Sequence, residues 1–384
     1  MISFELSEEQ RQIQARARKF AREVMAPVAP IHDRDGSFPW EVLREAHREG
    51  YFTPLVPEEW GGRGLKVLDT CIEAEELAAG CMGIYVSIFV NTLALYPIVR
   101  FGTPDQKERF LTPFSSDFRL ASYCLSEREA GSDPSSMKTK AVASDGHYII
   151  DGTKMWITNG SYADLYLVFA TRDPSLRHRG IMAFLVPREL EGVHPGEAIE
   201  KMGQRASNTA PVTFSHVRLP EENLLGGKED GFKKAMAALD VTRPIMAAAA
   251  VGLARSAMEL ATAYACKRVQ FGIPIFGHGA IQTILADMAI SIEAARLASW
   301  KAAWIADQGE RNTKEAAVAK ALAADVAMKV TTDAVQVYGG MGYTKWHPVE
   351  KLMRDAKVIQ IYEGTSQIMR RIVAREMRKE ADPR

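Results

Sequence analysis

The spacing of apolar positions changes character twice along this chain. In the first third the period is helical. Ser7-Glu8-Glu9-Gln10 reads as a capping box, and Ile13, Phe20 and Val24 then follow one face until Pro27 and Pro30, which are expected to end the helix. Pro39 opens a second helix through Leu43 and Ala46, with Gly50 as its stop. PEEWGGRG at 57–64 is a turn, and a long apolar helical region follows to about Pro97. Thr103-Pro104-Asp105-Gln106 repeats the capping grammar. From Leu120 to about Leu225 the runs become short, β-branched and aromatic between turns, as in HYIIDG, KMWITNG, LYLVFATRD, IMAFLVP and PVTFSHVRLP. That is strand grammar, and it predicts an antiparallel sandwich or barrel ending at Gly226-Gly227. Long helices return from Gly231. Ile281, Leu285, Met288, Ile292 and Ala295 form one stripe, with Trp300 and Trp304 beyond it, and Val318, Leu322, Val326 and Val330 form another. With 245–268 and 365–378 these predict four helices in a bundle. The expected fold is α+β and multidomain, with a helical domain over 1–117, a β domain over 118–228 and a four-helix bundle over 229–384.

One stretch interrupts this pattern in a way that concerns chemistry. In Lys351–Val373, Leu352, Ala356 and Ile359 recur at helical spacing, and so do Ile368 and Ile372. Between them stands Tyr362-Glu363-Gly364-Thr365-Ser366, where Gly364 relieves the backbone and Thr365 or Ser366 can cap the next helix. A carboxylate on such a break can be desolvated, which raises its pKa and makes it a base near neutral pH. On the pattern alone, an ordinary solvated loop glutamate is the commoner outcome.

Composition narrows the field. The 384 residues suffice for two or three domains, and 47% apolar with 25% charged residues is ordinary for a globular protein. Lys plus Arg equals Asp plus Glu at 48 each, which argues against a nucleic-acid or anionic-membrane partner. Cys71, Cys81, Cys124 and Cys266 show no CxxC or Cys/His spacing, so neither a disulfide frame nor a metal site is expected. The opening MISFELSEEQRQ does not read as a signal peptide, and no uninterrupted apolar run reads as a membrane span. A soluble cytoplasmic protein is expected, or one of the mitochondrial matrix if a transit peptide has been removed. No strand–GxGxxG–helix unit, phosphate loop or GxSxG is present, which removes a Rossmann site and the common hydrolase. Gly339, Gly340 and Gly342 in QVYGGMGY follow a helical stretch and read as its terminus.

Six segments then change the reading. YCLSEREAGSD (123–133), KMWITNG (154–160), DVTRP (240–244), KRVQFG (267–272), QVYGG (336–340) and IYEGTSQI (361–368) occur in the order found in the acyl-CoA dehydrogenase family, and the chain resembles its medium- and short-chain branches over essentially its whole length. The resemblance implies a bound FAD and oxidation of an acyl-CoA thioester to the trans-2-enoyl-CoA, as in fatty-acid β-oxidation. Glu363 would take the α-proton and flavin N5 the β-hydride, with the Glu363 N–H polarising the thioester carbonyl and Gly364 allowing close approach. Leu125 and Ser126 would contact the flavin pyrimidine, and Trp156 and Thr158 its ring. Arg268 and Phe271 would meet the FAD pyrophosphate of a neighbouring subunit. Gln336, Gly339 and Gly340 would border that neighbour's FAD, and Thr365 and Gln367 its adenylate end. Ser132, Asp240 and Arg243 would hold CoA, while Tyr362, Gly364, Phe89 and Met246 would line the substrate site. Shared sites imply a homotetramer, a dimer of dimers, and the family's electron acceptor is electron-transferring flavoprotein.

Three departures from the family's pattern stand out. Glu127-Arg128-Glu129 replaces a Glu-Pro-Gly-like turn, which changes the loop's stiffness and places charge near the acyl entrance. Gly279 stands where glutamine is usual, which removes a contact to the FAD adenylate. Phe89 and Val90 stand where the medium-chain branch has a glutamate and a glycine, and with Met246 they are expected to shorten the acyl cavity toward short or branched groups. Competing expectations are the same fold with a lyase or oxidase outcome, and a non-catalytic CoA-binding scaffold.

Overall fold

The computed structural model describes residues 5–382, so the reading of the first four residues and the outer ends of the first and last expected domains lie outside the described residues. The helical N-terminal part comprises α1 (Glu8–Phe20), α2 (Ala26–Asp35), α3 (Trp40–Arg48), α4 (Val67–Gly80), α5 (Met82–Phe101), α6 (Pro104–Phe110) and α7 (Thr112–Ser116). Both capping boxes form, Ser7 with Gln10 and Thr103 with Gln106. Pro27 and Pro30 do not end the first helix. A π-helical turn, Ala21–Met25, leads directly into α2, with Pro27 in its first turn and Pro30 inside it, and the stop is Gly36 in the left-handed conformation. Pro97 likewise lies inside α5, and the long apolar region breaks instead at Cys81, whose extended backbone separates α4 from α5.

Strands follow: β1 (Ala121–Cys124), β2 (Lys140–Ser144), β3 (His147–Thr158), β4 (Leu165–Thr171), β5 (Ile181–Pro187), β6 (Val193–Pro195) and β7 (Thr209–Pro220). They form one sheet in which β4 pairs antiparallel with β5 over its full length, and β3 pairs antiparallel with β7. The sheet is mixed, because β1 runs parallel to β4 and β2 meets β4 in parallel at one position. HYIIDG and KMWITNG are a single strand, β3, with register shifts at Ile150/Gly152 and Lys154/Ile157. The second shift matters: Trp156 sits there at φ 66°, and the bulge turns its ring outward.

The C-terminal part holds α8 (Gly231–Lys267), a two-stranded hairpin β8 (Val269–Gln270) and β9 (Ile273–Pro274), α9 (Gly279–Asp307), α10 (Thr313–Tyr338), α11 (Val349–Lys357) and α12 (Ser366–Ala381). Helix α8 packs against α4, α9 and α10, so the bundle and the N-terminal helices share one core. The stripe expected on α9 is buried at Leu285, Met288, Ile292 and Ala295. The one expected on α10 is only half right: Val326 and Val330 are buried, but Val318 and Leu322 are exposed. The buried face of α10 is instead a run of alanines (316, 317, 319, 321, 323, 324 and 327), because small side chains let helix axes approach closely and the larger ones are displaced outward. The expectation that no run is long and apolar enough for a membrane also needs correction. Both α5 and α8 pass on length and composition, yet 89% and 83% of their apolar windows are buried inside the protein, as befits core helices.

Candidate active site

Helix α11 tightens into a 3₁₀ turn, Val358–Gln360, and α12 begins at Ser366 with the Thr365 hydroxyl accepting from Ile368 N at 3.1 Å. Glu363 sits on the link between them. Its backbone is left-handed (φ 55°), as is that of Gly364 (φ 91°). A non-glycine residue there costs of order 1–3 kcal/mol and persists only when its surroundings hold it. They do: Arg243 Nε donates to the Glu363 carbonyl at 3.1 Å, and Lys320 Nζ donates to the Ile359 and Gly364 carbonyls at 2.7 and 2.6 Å. At φ 91° Gly364 holds a backbone that L side chains rarely adopt, and a Cβ there would also displace the flexible end of Met369, whose Cε would lie at 2.5 Å.

The carboxylate itself is sparsely partnered. Thr242 Oγ1 donates to Oε2 at 3.3 Å, while Oε1 is buried without a partner. Burial pushes the Glu363 carboxyl above the usual range, and the charges of Arg243 and Lys320 with the Thr242 hydrogen bond offset only part of that. The solvated loop glutamate is therefore not what the chain builds.

Several expected neighbours gather here. Tyr362 donates to Met246 Sδ at 3.3 Å and accepts from Gln204 Nε2 at 3.2 Å. Met246 and Phe89 are both fully within the core, and Phe89 stacks loosely on Tyr85 with ring centres 6.0 Å apart. Asp240 is committed within the chain: Thr313 Oγ1 donates to one oxygen at 2.5 Å and Arg243 approaches the other at 3.5 Å. Ser132 is exposed, in a loop whose Asp133 is tied to Ser135 and Arg177. Three residues at this site were not singled out in the sequence: Thr242, Gln204 and Lys320. Only Lys320 left a signal, as one of two charges, with Asp325, in the otherwise apolar run AAVAKALAADVA.

The loop at 125–130 and strand β3 are locked together. Lys154, fully buried, donates to Glu127 Oε1 at 2.9 Å and to the Leu125 carbonyl at 3.2 Å, and Met155 N donates to Ser126 O at 2.9 Å. Glu127 also accepts from the backbone of Lys138 and Thr139. Glu127 and Ala130 bond each other's backbones around Arg128-Glu129, so the expected loss of stiffness is met by a clamp, and Glu129 pairs with Lys138. Thr158 ends β3 opposite Thr209. Beside this frame Trp156 keeps 55% of its surface exposed, an unusual state for an indole on a rigid strand.

Comparison with known proteins gives the same outline. Models of the acyl-CoA dehydrogenase N-terminal, middle and C-terminal domains match residues 7–117, 122–217 and 229–378. A probable medium-chain specific acyl-CoA dehydrogenase 2, mitochondrial, of Caenorhabditis briggsae is 41% identical over 97% of this chain and 91% of its own. The chain belongs to the acyl-CoA dehydrogenase family. Butyryl-CoA dehydrogenase from Megasphaera elsdenii superposes with a TM-score of 0.95 at 38% identity, covering 98% of this chain and all of that one. A chain from a structure of the electron transferring flavoprotein of Acidaminococcus fermentans superposes with a TM-score of 0.95 at 40% identity, covering 98% of this chain and 99% of that one. This acyl-CoA dehydrogenase is accordingly an oxidoreductase with FAD as its cofactor.

The donor set fits such a cofactor. A half-exposed indole and clamped backbone suit a flavin ring, and the buried Oε1 of Glu363 has no hydrogen-bond partner among the described residues. The remaining expected FAD residues do not join this cluster. Arg268 lies about 37 Å along α8 from Arg243 at 1.5 Å per residue, and Gln336 about 24 Å along α10 from Lys320. Arg268 and Gln336 are exposed, and Phe271 is 95% exposed at φ 52°. Gly339, at φ 61°, and Gly340 close α10 as a helix terminus, and a Cβ on either would meet nothing. Gly279, at the start of α9, is equally open, and Gln367 is exposed on α12. A cavity of about 430 Å³ lined by Phe38, Tyr162, Lys201 and Arg205 contains none of the expected site residues.

Proposed function

We propose that this acyl-CoA dehydrogenase oxidises a short or branched acyl-CoA to its trans-2-enoyl-CoA, with Glu363 as the base that removes the α-proton. The observation that carries this is a half-buried glutamate whose Oε1 is shut off from solvent and unpartnered, held in a strained backbone by Arg243 and Lys320. A carboxyl raised by burial shares the proton more evenly with a weak carbon acid, and its free oxygen is available to receive it. Excluding water around it keeps the base unsolvated while the N–H of Glu363 faces developing enolate charge. FAD, when bound, supplies the two-electron acceptor for the β-hydride.

Trp156, Thr158, Leu125 and Ser126 are assigned to the flavin ring. Arg268, Phe271, Gln336, Gly339 and Gly340 are assigned to the cofactor of a second copy, which accounts for an exposed phenylalanine and an Arg268 far from Glu363 in its own chain. The assembly is then a homo-oligomer, with a tetramer as the family's form. Thr365 keeps its hydroxyl proton for the adenylate end, since its oxygen accepts in the helix cap, and Gln367 lies beside it. Arg243, Tyr362, Gly364 and the exposed Ser132 border the thioester and CoA. Likeness to a chain from the A. fermentans electron transferring flavoprotein structure supports such a flavoprotein as acceptor. Phe89, one turn from Tyr85 on α5, supports a shortened acyl pocket together with Met246. The test is kcat/KM for butyryl-, isobutyryl-, octanoyl- and palmitoyl-CoA. Highest activity on one of the first two is expected, and highest activity on palmitoyl-CoA would reject the short-pocket reading.

A further inference from the structure

We infer that Lys320 is a positioning residue for the base: from the buried face of α10 it holds both ends of the 359–364 loop and sets a positive charge against Glu363. The inference rests on the reading of Glu363 as the base. Lys320 is fully buried on a helix turn whose other buried residues, Ala316, Ala317, Ala319, Ala321, Ala323 and Ala324, are all alanines. Its Nζ is spent on the Ile359 carbonyl, where the 3₁₀ turn ends, and on the Gly364 carbonyl, immediately after the base. Both bonds are charge-assisted and leave no slack in the loop between them. Five residues further along α10, Asp325 accepts from Gln360 Nε2 at 2.7 Å and from Ser366 Oγ at 3.2 Å, so one helix grips the loop on both flanks. Arg370 pairs with Asp325 at 2.6 Å, and of the two carboxylates that act on the Lys320 charge Glu363 acts more strongly.

The surrounding charges are few. Lys320 faces Glu363 from the loop, Arg243 from α8 and Asp325 from its own helix; burial pulls its ammonium down to about 8, with Glu363 the main counterweight, so it is mostly charged at neutral pH. Glu363 in turn faces Arg243 and Thr242 of α8 and Lys320 of α10, with the phenols of Tyr362, of Tyr123 on β1 and of Tyr85 on α5 nearby. Removing the ammonium takes away one of two cations that favour the ionised base, so the Glu363 carboxyl must rise further.

The experiment compares K320M, which removes both donors and the charge, with K320Q, which keeps an amide donor and removes the charge. Each is checked for retained FAD absorbance and cooperative thermal unfolding, and kcat/KM for butyryl-CoA is then followed against pH. K320M is expected to lose about 100-fold in kcat, the scale of a misplaced reacting group, and K320Q less. In both, the acid limb of the profile moves to higher pH. A residue that only filled space would lower the melting temperature and leave that limb where it was, so an unshifted limb in either folded variant overturns the inference. Where K320M does not fold, K320Q decides alone. E363Q is run alongside: if it still turns over, the base assignment falls whatever Lys320 does.

Discussion

Glutamate carboxylates withdrawn from solvent meet opposite fates in two parts of this protein. At the junction of α1, α4, α8 and α9, Glu75 and Glu76 are buried but saturated: Arg18 and Arg255 each reach Glu76 at 2.7 Å, and Arg255 and Arg296 reach Glu75 at 3.0 and 2.9 Å. Burial alone would raise the Glu76 carboxyl, but the Arg18 and Arg255 hydrogen bonds and charges outweigh it and hold the group below the usual range. Glu363 is half-buried with its Oε1 closed off from solvent, yet gets one weak side-chain bond, while Arg243 and Lys320 donate to backbone carbonyls around it and Arg243 also reaches Asp240 at 3.5 Å. Desolvation of the carboxylate acts on both Glu76 and Glu363. What separates a structural carboxylate from a reactive one is where the neighbouring cations put their donors.

The comparison breaks first on activity. E363Q should lose about 10³–10⁴-fold in turnover with FAD retained, the contribution of a positioned general base. E76Q should keep the wild-type kcat per folded molecule. Stability should reverse the order. E76Q leaves arginines short of a partner and should cost about 2 kcal/mol by denaturant unfolding. E363Q discards a charge that Arg243, Lys320 and Thr242 compensate only in part, and should melt at or above the wild-type temperature at neutral pH.

The pH dependence sharpens this. Glu76, held low when folded, contributes stability that is present above about pH 4.3 and is lost as pH falls through its lower folded value. Glu363, held high when folded, acts with the opposite sign: stability is lost as pH rises from about 4.3 through its folded value. The stability gap between E363Q and wild type should therefore widen on going up through that window and close below it. The smallest expected effect concerns the pocket. F89A should raise kcat/KM for octanoyl- relative to butyryl-CoA by about tenfold, since each buried methylene is worth about 1–3 kcal/mol of discrimination.

The sequence revealed those features that depend on short-range periodicity. The helix–strand–helix order, both capping boxes and the break at Glu363 follow from local spacing, and those survive in the structure. What it hid depends on partners distant in the chain. Pro27 looks like a stop until a π-helical turn absorbs its missing donor. Val318 and Leu322 look like core until the alanines of α10 bring it close to α8. Parallel pairing of β1 with β4 leaves no mark on either strand's own pattern. At the site, the break that carries Glu363 was legible from its glycine and flanking stripes, its role as a base came from the resemblance, and Thr242 and Gln204 join the site only through tertiary contact. Arg268 and Phe271 came from the resemblance, and no contact within one chain gives them a role.

The most direct test of the account is an anaerobic titration of the purified flavoprotein with butyryl-CoA, followed in the visible spectrum for wild type and E363Q. The account predicts bleaching of the oxidised flavin bands in the wild type and none in E363Q, although E363Q retains its flavin. Bleaching of equal rate and extent in both would contradict it, because the proton would then leave to some group other than Glu363.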